Sequence, residues 1–351
     1  MQTNKISREN NMTLVRYFLA INVFIGHFNV LNLSEIPRIT GGFTNIGAFF
    51  CLSGFFALIT YKEGMGLWSF LKKRAKRLIP PYATVVILSA ILLFFTSSLN
   101  IKEYFTSPAF WKYLICNLCY LNFFQPSLPG VFEDNYLNAI NGSLWYMKVE
   151  WLLTLSVPVV VWIKNKLNIK MTTILIGIIT LSAIYRFIIL LMESQGYIDY
   201  EKAYRIMKQF PGELIYFYSG TLLFMKYNQI KSHKLFSLFL FICLEILSFV
   251  LPFQDVFVAP LATSGIVIWF SIIGKWGYRI TGKTNFSYGL YLVHFPIIQL
   301  FIYWQHTEGW IWPEWLSFFG TLVTTWVIAY LIWLVFNKLS VQPANLQPFV
   351  K

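Results

Sequence analysis

The sequence predicts an all-α protein, a polytopic transmembrane helical bundle of about ten spans with both termini in the cytosol. Three observations carry this. The chain of 351 residues is 57% hydrophobic and only 12% charged, about half the charged share of a soluble globular domain. Its apolar runs are about 17 to 23 residues long, the length a helix needs to cross a bilayer. Its lysines and arginines concentrate in alternate connections, the asymmetry that orients membrane helices.

The expected spans are 12–33, 43–61, 79–97, 143–163, 171–192, 211–226, 235–251, 256–274, 286–304 and 315–337. With the N-terminus inside, nineteen basic residues fall on the inner side: Lys5, Arg8, Lys62, Lys72, Lys73, Arg74, Lys76, Arg77, Lys164, Lys166, Lys170, Lys226, Lys231, Lys234, Lys275, Arg279, Lys283, Lys338 and Lys351. Only six fall outside: Arg38, Lys102, Lys112, Lys202, Arg205 and Lys208. The net charge of +13 therefore reports topology rather than a nucleic-acid partner. Spans and short connections consume nearly everything, so residues 1–351 read as one integral membrane domain. The apolar piece Leu114–Phe124 is too short to span and reads as re-entrant or interfacial. The polar N-terminus and a first span without a small-residue cleavage site suggest an uncleaved anchor.

The first span holds the leading chemical signal. Arg16 and His27 are eleven residues apart, which leaves them about 20° apart in azimuth and about 16 Å apart in height. One stripe thus carries a cation near one membrane surface and an imidazole deep in the bilayer. Facing both to lipid costs several kcal/mol, so the stripe should face protein or a water-filled cavity. In the second span, Phe49-Phe50-Cys51-Leu52-Ser53-Gly54 places a hydroxyl and a glycine mid-membrane, where close helix packing is the ordinary explanation.

The third span follows the cluster Lys72-Lys73-Arg74-Ala75-Lys76-Arg77 and opens with Pro80-Pro81. Proline suits a helix start, so the cluster is expected beside the positive end of a helix dipole. It serves either as a phosphate site or as a topology signal touching anionic lipid. The long outer connections 98–142 and 193–210 are rich in aromatic and amide groups, which suit either sugars or an interfacial belt.

The fourth span enters through Ser143-Leu144-Trp145 and reaches Glu150 about 10 Å below the outer end, close to the depth of His27 at about 9 Å. A carboxylate there could orient the histidine and favour its charged form during proton abstraction. The ninth span carries Ser287-Tyr288, Tyr291 and His294 before a kinking Pro296. His294 fits a structural hydrogen bond and a site-lining role equally. Lys148, Arg186 and Glu245 are further membrane charges that can snorkel or pair. Cys116-x-x-Cys119 has no second pair or nearby histidine, so the four cysteines read as packing residues and no metal site is expected.

These residues together resemble the membrane acyltransferase-3 family. The matching landmarks are Arg16-x10-His27, Phe49-Phe50-x-x-Ser53-Gly54, and Arg74-x-x-Arg77 followed by Pro80-Pro81-Tyr82. The pattern Ser143-Leu144-Trp145-x-x-x-Val149-Glu150 and the run Ser287-Tyr288-x-x-Tyr291-Leu292-x-His294 complete the set. Met12-Thr13 stand where relatives carry Asp-Gly. The resemblance implies a multi-pass protein of a bacterial cell membrane, without the extra hydrolase-like domain of some relatives. It would transfer an acyl group, most simply acetyl, from acyl-CoA (acetyl-CoA or another short acyl-CoA) to a surface polysaccharide or lipid-linked glycan. His27 would be catalytic, with Glu150 beside it. Arg16, Arg74 and Arg77 would bind the donor, and Ser53, Trp145, Tyr291 and His294 would line the site. Acyl-CoA is then a co-substrate, with no permanently bound cofactor. Two other readings of the same charges are a transporter or flippase for a glycan or lipid phosphate, and an acyl-carrying subunit that needs a partner transferase.

Overall fold

The computed structural model describes residues 6–7, 9–39, 41–61, 64–251, 253–282, 284–307, 309 and 312–340. The basic residues Lys5, Arg8, Lys62, Lys283 and Lys351 lie outside the described residues, as do both chain ends and the Lys338 side chain. The chain forms helices α1 (Met12–Asn32), α2 (Gly42–Phe55), α3 (Leu67–Leu92), α4 (Pro108–Leu118), α5 (Trp145–Leu167) and α6 (Met171–Ser194). Then follow α7 (Phe210–Met225), α8 (Lys234–Val250), α9 (Val258–Ile272), α10 (Ser287–Thr307) and α11 (Glu314–Ser340). All but α4 overlap the expected spans, α3 beginning well before its own, and a short helix Ala57–Thr60 extends α2.

Among the described residues, five helical stretches are long and apolar enough to cross a membrane: Met12–Asn32, Leu67–Thr96, Gly142–Leu167, Met171–Ser194 and Glu314–Asn337. The remaining helices are shorter, or carry polar groups enclosed by protein. Helix α10 is of the second kind, burying Ser287, His294 and Gln299. The segment expected as interfacial, Leu114–Phe124, begins in the last turns of the 11-residue α4, too short to span, and ends in a 3₁₀ turn at Asn122–Phe124.

Helix α7 is the pivot of one half. It buries residues on all sides, from Gly212 to Thr221, between α2, α6 and α9. Its crossing with α2 is backbone to backbone: a Cβ added at Gly54 would lie 1.8 Å from the Phe217 carbonyl oxygen. One added at Gly220 would lie 2.0 Å from that of Cys51. Thr221 Oγ1 donates to the Gly54 carbonyl at 2.8 Å. The close packing expected of the second-span motif is thus present, and it fixes the register of Ser53. The other half gathers α3, α4, α10 and α11, with α1 packed against both α2 and α10.

Two sequence expectations change here. Helix α3 starts at Leu67, with Pro80 and Pro81 in its interior. The upstream residues are mostly Leu, Lys and Arg, strong helix formers. The carbonyls that the prolines leave unbonded belong to Lys76 and Arg77, both exposed residues. The basic cluster therefore lies within the helix, beyond the reach of its N-terminal dipole, and any anion binding rests on the side chains alone. Secondly, amides of the long connection are committed to structure. Asn135 Nδ2 bonds the Gln299 carbonyl at 3.0 Å, and Asn141 Nδ2 bonds that of Leu292 at 2.8 Å. They pin the connection to α10 and are not free for a sugar. Arg186 is likewise structural: its Nε donates to the Asp255 carbonyl at 2.7 Å and its Nη1 to that of Gly212 at 3.0 Å.

Candidate active site

A cavity of about 340 Å³ opens between α1, α2, α3, α5 and α10, at the lower end of the range for small-molecule sites. Its lining includes Arg16, His27, Ser53, Arg74, Arg77, Trp145, Glu150 and Tyr291. Eight of the nine residues singled out in the sequence thus meet at one place. The ninth, His294, is buried directly behind His27.

The shared stripe of α1 supplies the long axis. Arg16 and His27 both face the cavity with Val23 between them, as their near-equal azimuth requires. Around the Arg16 end, α3 contributes Arg74 and Arg77, three residues apart and so on one helical face. Arg16 lies over the Phe56 ring, 5.8 Å from its centroid. Arg74 Nε is buried without a hydrogen-bond partner among the described residues, so a strong donor is left for a ligand to satisfy.

Glu150 takes a different partner from the expected one. It forms an ion pair with Arg74, accepts from Ser53 Oγ at 2.5 Å and from Tyr146 Oη at 3.4 Å. Arg74 Nη2 also donates to Ser53 Oγ at 2.7 Å. The expected Glu150–His27 pairing is therefore not formed. Similar depth allowed it, but a buried carboxylate gains more from a guanidinium than from a neutral ring. The long Arg74 side chain reaches Glu150 first.

His27 instead meets a second imidazole, with His294 Nε2 2.8 Å from His27 Nδ1. His294 Nδ1 in turn lies 3.0 Å from the Leu290 carbonyl oxygen. The edge of Phe295 closes the other side of His27, with ring centroids 5.3 Å apart. Tyr291 Oη donates to the Ser143 carbonyl, tying α10 to the start of α5. Trp145 stands at the rim with the Lys208 ammonium 5.3 Å from its ring.

Sequence reasoning missed Tyr146 and Tyr288. Tyr146 stacks on Phe50 at 4.5 Å and 8°, and Tyr288 Oη donates to the Leu78 carbonyl at 3.0 Å. Both lie inside the quoted motifs, Tyr146 at an unspecified position, so the signal was there without a reason to weigh it.

A sequence model described as an acyltransferase domain matches residues 9–334, nearly the whole chain. The chain belongs to the acyltransferase-3 family. No curated protein and no solved structure matches it. As an acyltransferase-3 protein it is a membrane acyltransferase, and its cavity joins cationic groups at one end to an imidazole at the other.

Proposed function

We propose that this acyltransferase-3 protein is an acyl-CoA-dependent O-acyltransferase, most simply an O-acetyltransferase. Its acceptor would be a hydroxyl of a surface polysaccharide or lipid-linked glycan. It would work in a bacterial cell membrane, with about ten spans and both termini cytosolic. The observation that supports this most is the single cavity running from three guanidinium groups to His27. Allowing for Glu150, that end carries two net positive charges, suited to the phosphates of the donor. A cavity of about 340 Å³ suits the extended thioester arm better than a whole coenzyme, so the nucleotide would stay at the cationic mouth.

In this reading the arm runs along the α1 stripe and presents its thioester at His27. His27 takes the proton of the acceptor hydroxyl as the oxygen attacks the thioester carbonyl. The new oxygen–carbon bond forms, the carbon–sulfur bond breaks, and the thiolate leaves with the proton that His27 held. Ser53 is engaged by both Arg74 and Glu150, which favours a positioning role over a covalent acyl-enzyme. The reading is tested by mass spectrometry of surface glycans from cells with and without the gene. Loss of a base-labile ester with glycan export intact supports transfer. Unchanged esters with lost export would instead indicate a flippase.

A further inference from the structure

The contact between the two histidines has only one arrangement of protons that satisfies its neighbours. His294 Nδ1 faces the Leu290 carbonyl oxygen at 3.0 Å. A carbonyl only accepts, so Nδ1 must carry the hydrogen. His294 is 2% exposed, and adding a second proton would bury a cation with no carboxylate bonded to it among the described residues. Its Nε2 therefore keeps a lone pair. The atom 2.8 Å away is His27 Nδ1, which must then be the donor. Val23, one turn earlier on α1, also offers its carbonyl to His27.

We propose that His294 is a positioning residue which holds His27, a residue of the cavity wall, in its Nδ1-protonated tautomer and leaves the unprotonated Nε2 as the base. This rests on the reading of His27 as the base. Every part of the chain is neutral before reaction: the Leu290 carbonyl, the His294 ring, then the His27 ring. When the acceptor hydroxyl gives its proton to His27 Nε2, the ring becomes an imidazolium. Its Nδ1–H now donates to His294 Nε2 as a charged donor, a bond about twice as strong as a neutral one. The contact is thus strongest while the proton is held, the condition for speeding a chemical step rather than substrate binding. The same proton then passes from Nε2 to the departing thiolate, and His27 returns to its starting tautomer. The other charges whose fields reach His27 are Lys208 and Arg38. Both are cations, so neither can take over the stabilising task.

Two polar variants separate this role from simple packing. A Gln carbonyl oxygen reaches about as far as the imidazole Nε2, so His294→Gln keeps an acceptor for His27. An Asn side chain reaches only to the position of Nδ1, so His294→Asn can bond near Leu290 but not to His27. The assay is thiol release from acetyl-CoA by the full-length protein in detergent, with a membrane extract of the host supplying the acceptor. His294→Asn should lower kcat about 10- to 100-fold, part of the ~10²–10⁴-fold a general base supplies. KM and the Kd for acetyl-CoA should stay within about twofold of wild type, since the contact matters in the transition state. His294→Gln should recover most of that loss. Equal rates for the two variants, high or low, would overturn the proposal, as would a loss confined to KM. Should His294→Asn fail to fold, His294→Gln alone decides: activity as low as that of His27→Ala overturns it. His27→Ala at the wild-type rate would instead remove the reading of His27 as the base.

Discussion

The Arg74–Glu150 pair permits a test that does not depend on knowing the acceptor. The two side chains are 20% and 6% exposed, so water screens them little. Replacing Glu150 with Leu strands the Arg74 guanidinium, and replacing Arg74 with Leu strands the carboxylate. Breaking a buried pair from one side typically costs about 3–5 kcal/mol. Replacing both with apolar groups of similar size is often neutral. Here Ser53 and Tyr146 would lose a shared acceptor, so we expect the double variant to lose about 1–2 kcal/mol. The assay is equilibrium unfolding of wild type, both single variants and the double variant in mixed detergent micelles. The expected result is a double variant more stable than either single. Stability losses that simply add would refute the argument, because independent sites are additive and coupled ones are not.

Three further outcomes follow from the same geometry. Arg16→Gln and Arg77→Gln should each weaken acetyl-CoA binding about 5- to 30-fold, the loss of one or two charged hydrogen bonds, with added salt weakening the wild type most. Calorimetric titration that finds the affinity unchanged would reduce the cluster to a topology signal. Gly54→Ala should cost more than 3 kcal/mol or abolish folding, since the new Cβ would fall 1.8 Å from the Phe217 carbonyl oxygen, a backbone atom that cannot rotate away. Gly177→Ala, where a Cβ meets nothing within 4 Å, is the neutral control in the same melting assay. Burial pushes the Lys208 ammonium down to about 8 from its usual 10.5. The folded state then holds that proton less tightly than the unfolded state, so the stability attributable to this group should rise between about pH 8 and 10.5. Lys208→Met should flatten that rise; a wild-type slope in the variant would show that Lys208 is not its source.

Hydropathy and charge are written along the chain, and they located helices that overlap the expected spans and picked out the charged residues of the cavity. The 11-residue spacing of Arg16 and His27 settled their common face because both belong to one rigid helix. Family landmarks at Ser53, Arg74, Glu150 and Tyr291 marked the remaining walls, and the one at His294 marked the residue behind His27. Partner choice was another matter. Glu150 pairs with Arg74 and His27 with His294 because of how α1, α3, α5 and α10 are rotated about their axes when packed. No spacing within one helix encodes that rotation. The start of α3 was misplaced for a related reason: a proline pair ends or begins a helix only when its lost hydrogen bonds have no substitute. At Lys76 and Arg77 that depends on exposure in the folded protein. What the sequence determined was which groups share a helix face, since 3.6 residues per turn is a property of the backbone. What the tertiary structure alone decided was which of those groups touch, since contact across helices depends on side-chain reach and on the cost of leaving a buried charge or donor unpaired.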